Sequence, residues 1–210
     1  MNDASAILRT GRKFDQVIAG ARQVFLSDGF EGASVDDIAR AAGVSKATLY
    51  SYFPDKRLLF LEVARLECER MAENTVSLID DEAPPGQNLR VAAHHIVRFL
   101  LSDFTQQCFR ICVAESERFP ELGQTFYHHG PAEGKRRICE FLQRGIEKGF
   151  LDIDDVDIAA EQFGELCKVR LWTRLVFGVQ KTFTDEEIEA VVENAVKTFL
   201  ARYGTDKSRL

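Results

Sequence analysis

The stretch SVDDIARAAGVSKATLYSYFPDK occupies residues 34–56. Its second half, GVSKATLYSYFPDK (43–56), sets four hydrogen-bond donors close together: Lys46, Thr48, Tyr50 and Tyr52. Leu49 and Phe53 are apolar and four apart, so they share one face of a helix. The spacing predicts a short helix with its back in a core and a wet face full of donors. Donors without nearby acceptors imply that the acceptors belong to another molecule.

Upstream, Ser34-Val35-Asp36-Asp37 reads as a serine cap with an acid three residues on. Ile38, Ala41 and Ala42 then give a brief second helix. Gly43 permits the positive φ of a tight turn, and Ser45 caps the third helix. Pro54 ends that helix and suits the first turn of the next, where Asp55 favours the helix dipole. Helix, glycine turn, helix is the helix-turn-helix plan. Ala39 supplies a small side chain where two helices cross, and Val44 and Leu49 plug the core between them. In that plan the second helix enters the major groove by its N-terminal residues, here Lys46 and Ala47. Thr48, Tyr50 and Tyr52 reach flanking phosphates, and Lys56 adds a charge at the start of the fourth helix.

Outward from this motif the pattern stays helical. Phe14, Val17, Ile18, Ala21, Val24 and Phe25 mark a first helix that Gly29 stops from the C′ position. Residues 1–8 carry no periodic apolar pattern and are expected to fray. Leu58, Leu59, Leu61, Val63, Leu66, Met71 and Val76 carry a long fourth helix towards Ile79, before DDEAPPGQN (80–88) breaks the chain. Further helical patterns span 87–102, 104–118, 121–129, 132–148, 156–177 and 185–203, the last opened by a capping box from Thr184 to Glu187. Strand alternation, repeats and low-complexity tracts are absent from the sequence. The chain is expected to be all-α, with about nine helices. The soft domain boundary falls near residue 57, inside the start of the fourth helix, which would act as a stiff lever between residues 1–57 and 58–210.

Composition narrows the function. Of 210 residues, 45% are hydrophobic, enough for a core. No apolar run approaches the roughly 18 residues of a membrane span, and no secretory stretch opens the chain. Five cysteines, at 68, 108, 112, 139 and 167, are odd in number and lack paired C-x-x-C spacing. That argues against a disulfide framework and for a reducing, cytoplasmic setting. The net charge of −6 argues against bulk nucleic-acid binding. Residues 1–57 nevertheless hold eight Lys/Arg against seven Asp/Glu, a net +1, which leaves −7 on the rest. An acidic body with a near-neutral head allows local anion binding at the head alone.

The residues from Ser34 to Lys56 strongly resemble, position by position and without gaps, the DNA-binding signature of TetR-family transcriptional regulators. The first helix fits as well. The resemblance implies that Ser34 is the family's phosphate-contacting helix cap and that Lys46 and Ala47 read bases. It implies that Thr48, Tyr50, Tyr52 and Lys56 contact phosphate. Asp36 departs from the pattern: it is acidic where some members carry a basic base-reading side chain, and it is given no DNA contact. More loosely, AESERFPELGQTFYHHGP (114–131) and the helices after it resemble one type of TetR-family ligand-binding domain. In the family these helices form a dimer and enclose a pocket.

Several features have a bland reading beside a functional one. Ile188, Val191, Val192, Ala195, Val196, Phe199 and Tyr203 share one face of the last helix, which packs either on its own chain or also on a twin. The 156–177 helix is apolar nearly all round, as a helix buried on every side would be. This favours a homodimer core, with Phe163, Val192 and Phe199 at the interface. Arg170 and Arg174 are read as rim ion pairs rather than ligand anchors. Neither His94-His95 nor His128-His129 can chelate from one helix face, so no metal or cofactor is expected. Cys108 and Cys112 share a face and read first as small core residues, second as a metal or oxidant site. Phe104, Cys108, Phe126 and Trp172 are the expected wall of an apolar pocket. No nucleophile motif, phosphate-cradling loop or metal triad suggests an enzyme. The expected protein is a cytoplasmic, homodimeric DNA-binding regulator, a repressor released from a near-palindromic operator by a small, largely apolar molecule. An activator or corepressor-dependent regulator of the same fold, and a ligand-independent DNA-binding or protein-interaction module, are the alternatives.

Overall fold

The 3.6-residue apolar spacing is realised as eleven α-helices among the described residues of a computed structural model, which cover 11–80 and 83–209. The expectation for residues 1–8 lies outside them. The helices are α1 (Arg12–Gly32), α2 (Val35–Ala42), α3 (Lys46–Tyr52), α4 (Lys56–Ser77), α5 (Pro85–Leu101), α6 (Asp103–Glu115), α7 (Pro120–Tyr127), α8 (Glu133–Glu147), α9 (Val156–Leu166), α10 (Leu171–Val176) and α11 (Asp185–Tyr203). No helix among these residues is long and apolar enough to cross a membrane. The chain divides into two compact units. The first gathers the described residues up to Glu67 with Asp103–Phe126; the second holds Cys68–Ser102 and Tyr127 onwards.

In the first unit, α1, α2, α3, α4 and α6 close on one aromatic core. Phe60 lies edge-on to Phe25 at 4.9 Å and tilted against Phe104 at 5.3 Å between ring centroids. Phe53 packs on Phe14 at 5.7 Å. Beside the helices before the expected division at residue 57, this unit takes in Asp103–Phe126. Phe104 and Cys108 of α6 complete the apolar surface that α1 and α4 leave open, so α6 belongs to the head's core. Gly29 has φ 71° and ψ 178°, a region open essentially to glycine alone, and it kinks α1 there. Just past the kink, the Phe30 N–H donates to Gln107 Oε1 of α6 at 3.0 Å. A Cβ on Gly29 would come within 2.9 Å of the same Gln107 oxygen.

In the second unit, α5, α8, α9 and α11 bury Leu89, Val97, Leu142, Phe163, Val192 and Phe199 against one another. Thr184 and Glu187 form the expected capping box at the start of α11. The DDEAPPGQN break is tied down by Asn88, whose side chain accepts from the Asp80 N–H (3.1 Å) and donates to the Asp80 carbonyl (2.7 Å). Two expectations change here. The gap at Gly130-Pro131 is instead a π turn, His128–Ala132, which carries α7 into α8 and houses the proline within wider coils. The single helix over 156–177 is broken between α9 and α10. There Arg170 takes φ 67° and ψ −36°, and the Leu171 N–H bonds back to the Val169 carbonyl at 2.8 Å. This is a γ-turn of the rare, strained hand.

Candidate nucleic-acid interface

The site is built on α2, the turn and α3. Ser34 caps α2: its hydroxyl accepts from the Asp37 N–H at 3.0 Å and donates to the Asp37 carboxylate at 2.5 Å. That hydroxyl contact, and then Arg40, hold the Asp37 carboxyl below its ordinary range. Gly43 ends α2 in the left-handed region (φ 62°, ψ 33°), as its place in the turn requires. Ser45 caps α3, accepting from the Thr48 N–H at 3.1 Å, and its hydroxyl also meets the Thr48 hydroxyl at 2.9 Å. A seven-residue helix is too short to hold itself. Leu49, 1% exposed, and the wholly buried Phe53 anchor it from beneath.

The opposite face is open. Lys46, Ala47 and Tyr50 are exposed, and Thr48 and Tyr52 are half-buried. Tyr52 leans edge-on against Phe14 at 5.8 Å, which fixes its ring beside α1. Lys46, Ala47, Thr48, Tyr50 and Tyr52 thus come together on one short helix, with Ser34 at the start of its neighbour. Lys56, the remaining expected phosphate contact, is engaged within the chain. Its ammonium donates to the carbonyls of Phe30 (2.8 Å) and Ala33 (3.0 Å) and sits 4.3 Å above the Phe30 ring. Lys56 thus ties α4 to the α1–α2 junction.

Two features escaped the sequence reading. The close crossing of α1 and α2 rests on Gly20, since a Cβ there would meet the Ala42 backbone at 2.5–2.7 Å. Asp36 lies against Lys46, Oδ1 to Nζ 2.5 Å. Its acidic departure from the signature was the only hint of that pairing.

Elsewhere the expected sites fare unevenly. Phe163, Val192 and Phe199, expected at a dimer interface, are 1%, 0% and 1% exposed within their own chain. They pack in one apolar cluster with residues of α5, α8 and α9. Arg170 and Arg174 are exposed. Phe104, Cys108 and Phe126 belong to the first unit's core, and Trp172 to the second unit. A cleft in the second unit, lined by Pro85, Asn88, Phe141, Arg144 and Phe150 among others, borders none of these four. Its volume of about 30 Å³ is far below that of a small-molecule site. Burial pushes the Cys112 thiol up to about 11, which disfavours thiolate chemistry and supports the core reading of that cysteine.

The same architecture recurs in known proteins. A family model described as the AefR-like transcriptional repressor, C-terminal domain, matches residues 87–205, and one described as bacterial regulatory proteins, tetR family, matches residues 17–63. The structure of a TetR-family transcriptional regulator from Mesorhizobium loti is similar at a TM-score of 0.80 and 28% identity, over 92% of this chain and 98% of that one. The Flavonoid-responsive Regulator FrrA is 36% identical with a TM-score of 0.68, over 94% of this chain and all of that one. The HTH-type transcriptional repressor AcnR of Corynebacterium efficiens is 44% identical over 62 residues, 30% of this chain and 32% of that protein. The chain spans about a third of the length of the AcnR repressors it matches. One model covers more than half of the residues and the other lies on the helix-turn-helix itself, so the chain belongs to the TetR family of bacterial transcriptional regulators, with an AefR-like C-terminal domain.

Proposed function

We propose that the protein is a homodimeric repressor that leaves a near-palindromic operator when a small, largely apolar molecule binds. The observation that carries the DNA-binding part is α3: a helix pinned by Leu49 and Phe53 whose other face offers Lys46, Ala47 and Tyr50 to solvent. Family membership supports DNA binding and dimer formation. The names of relatives, a repressor and a flavonoid-responsive regulator, support repression and a small-molecule effector.

For the dimer, exposed apolar side chains of the second unit suggest the contact surface. Phe177 and Val179 are 77% and 76% exposed, and Ile158 and Val169 about half. Exposed Phe and Val in such numbers mark an association surface rather than a solvated one. Arg170 and Arg174 stand among them in sequence and would form its polar rim. For the effector, a molecule that lodges beside Phe104 and Cys108 has to part Phe104 from Phe60. Phe60 belongs to the same core as α1 and α3, so binding there would act directly on the head. Ligand and DNA would then favour different states of one core, which is the energetic requirement for release.

The experiment is selection from random duplexes by the full-length chain, followed by fluorescence anisotropy with the selected site and a panel of lipophilic molecules. The expected pool is near-palindromic, with half-sites about one helical turn, roughly 34–36 Å, apart. At least one lipophile should release the duplex. A pool without a shared half-site would refute sequence-specific binding. Tighter binding on adding the lipophile would establish the corepressor alternative instead.

A further inference from the structure

Lys46 Nζ and Asp36 Oδ1 lie 2.5 Å apart, with both side chains more than half exposed. As an exposed ion pair it adds little to stability. Its location gives it another use. Asp36 stands in the first turn of α2 and Lys46 opens α3, so in the helix-turn-helix plan the pair would sit on the edge turned to the major groove. A carboxylate brought to a polyanion is repelled unless DNA offers it a donor and a cation stays beside it. Lys46 is that cation, and the groove contains the donor.

Each G·C pair shows two adjacent acceptors, guanine N7 and O6, followed by one donor, the cytosine N4 amino group. Guanine O6 and cytosine N4 are hydrogen-bonded to each other, so they lie about 3 Å apart. An ammonium and a carboxylate in contact present the complementary order, donor beside acceptor, at the same spacing. An A·T pair offers an ammonium only one purine acceptor, adenine N7, where a G·C pair offers two, guanine N7 and O6.

The geometry points to Asp36 and Lys46 acting as one reader of a single G·C pair in each half-site, Lys46 donating to guanine O6 and N7 and Asp36 accepting from cytosine N4. This rests on the DNA-binding reading above and gives Asp36 a DNA contact despite its acidic departure from the family signature. It also carries an electrostatic consequence. The pair is neutral, so it adds specificity without adding sequence-independent attraction for phosphate.

The test uses the full-length chain and the variants Asp36→Ala, Lys46→Ala and both together. Each is put through selection from random duplexes, then titrated against the selected operator with every base pair changed in turn. In the wild type, one G·C pair per half-site should be required, its inversion or replacement weakening binding roughly 5- to 150-fold. Each single variant should lose the preference at that same pair, and the double variant should lose no more. Asp36→Ala should also bind random DNA more tightly, with a salt dependence steeper by about one phosphate contact. If Asp36→Ala tightens binding to all sequences yet keeps the preference, Asp36 merely repels phosphate and the proposal fails. Relaxation at different base pairs in the two single variants also overturns it, as does a large fall in melting temperature, which would make the pair structural. A wild-type pool with no common sequence would be a different failure, that of DNA reading as a whole.

Discussion

Leu49 and Tyr50 are neighbours in sequence and opposite in fate, one 1% and the other 48% exposed. Tyr50→Phe removes one hydroxyl from the open face of α3. Binding to operator and to random duplex should fall together, by roughly 2- to 10-fold, the worth of one hydrogen bond. Thermal melting should stay at the wild-type value, and a large drop would make Tyr50 a structural residue. Lys56→Met, which keeps most of the stem and loses the ammonium, should do the reverse. Two charge-assisted bonds to the Phe30 and Ala33 carbonyls disappear, at a cost of about 1.5–3 kcal/mol in urea unfolding. Unchanged stability with weakened random-DNA binding would restore Lys56 to the phosphate contacts. The contrast shows what a sequence can reveal. Ser34, Ser45 and Thr184 each act on a backbone N–H three residues away, and each was legible as a cap. Lys56 acts on carbonyls 23 and 26 positions away, and no local pattern carries that.

Among elements, the sharpest constraint is the crossing of α1 on α2. By propensity alone, Gly20→Ala should stabilise α1 by up to about 1 kcal/mol. The added methyl would instead meet the Ala42 backbone, which cannot swing aside as a side chain could. The expected net outcome is a loss of about 1–3 kcal/mol in denaturant unfolding. A gain in stability would show that the helices separate cheaply. The break between α9 and α10 teaches a related lesson: the apolar pattern of 156–177 suits one helix, and tertiary packing turns it at Arg170 with a strained γ-turn. In α8, a hydrogen bond from Arg136, and then one from Arg137, hold Glu133 at a pKa of about 2, against 4.5 for an ordinary glutamate. Its folded-state pKa is depressed, so its contribution is complete above about pH 4.5 and drains away as the pH falls towards 2. Glu133→Gln should therefore lower stability near neutrality, leave it close to the wild type's near pH 2, and so flatten the acid limb in between. Circular dichroism across an acid titration reads this, and an unaltered acid limb would show that the arginines contribute nothing through Glu133.

For the whole molecule, the question is which apolar surface meets a second copy. The α11 stripe was legible as apolar, but apolarity does not say whether a chain's own helices or a partner's will cover it. Within the chain Val192 is completely buried, whereas Phe177 and Val179 are bare. Val192→Asp should therefore unfold the second unit, because a lone carboxylate would be sealed in the core. Phe177→Asp combined with Val179→Asp should yield folded monomers in light scattering, with helical content retained. A stable dimer from that double variant would move the interface elsewhere. The same gap between pattern and placement holds for α6, whose packing no local pattern announces. That α6 joins the head depends on Phe104 meeting Phe60, a contact between residues 44 positions apart.

Gln107 turns one backbone amide of the head into a clock. The Phe30 N–H, released from the helix ladder by the kink at Gly29, is protected by a side chain of α6. It can take up deuterium only when that side chain lets go, so its exchange rate counts the openings between α6 and α1. Gln107→Ala would remove the protection from this position while the amides inside α1 kept their own pace. A molecule that loosens α6 would quicken the Phe30 amide in the intact protein before any DNA is present to report it.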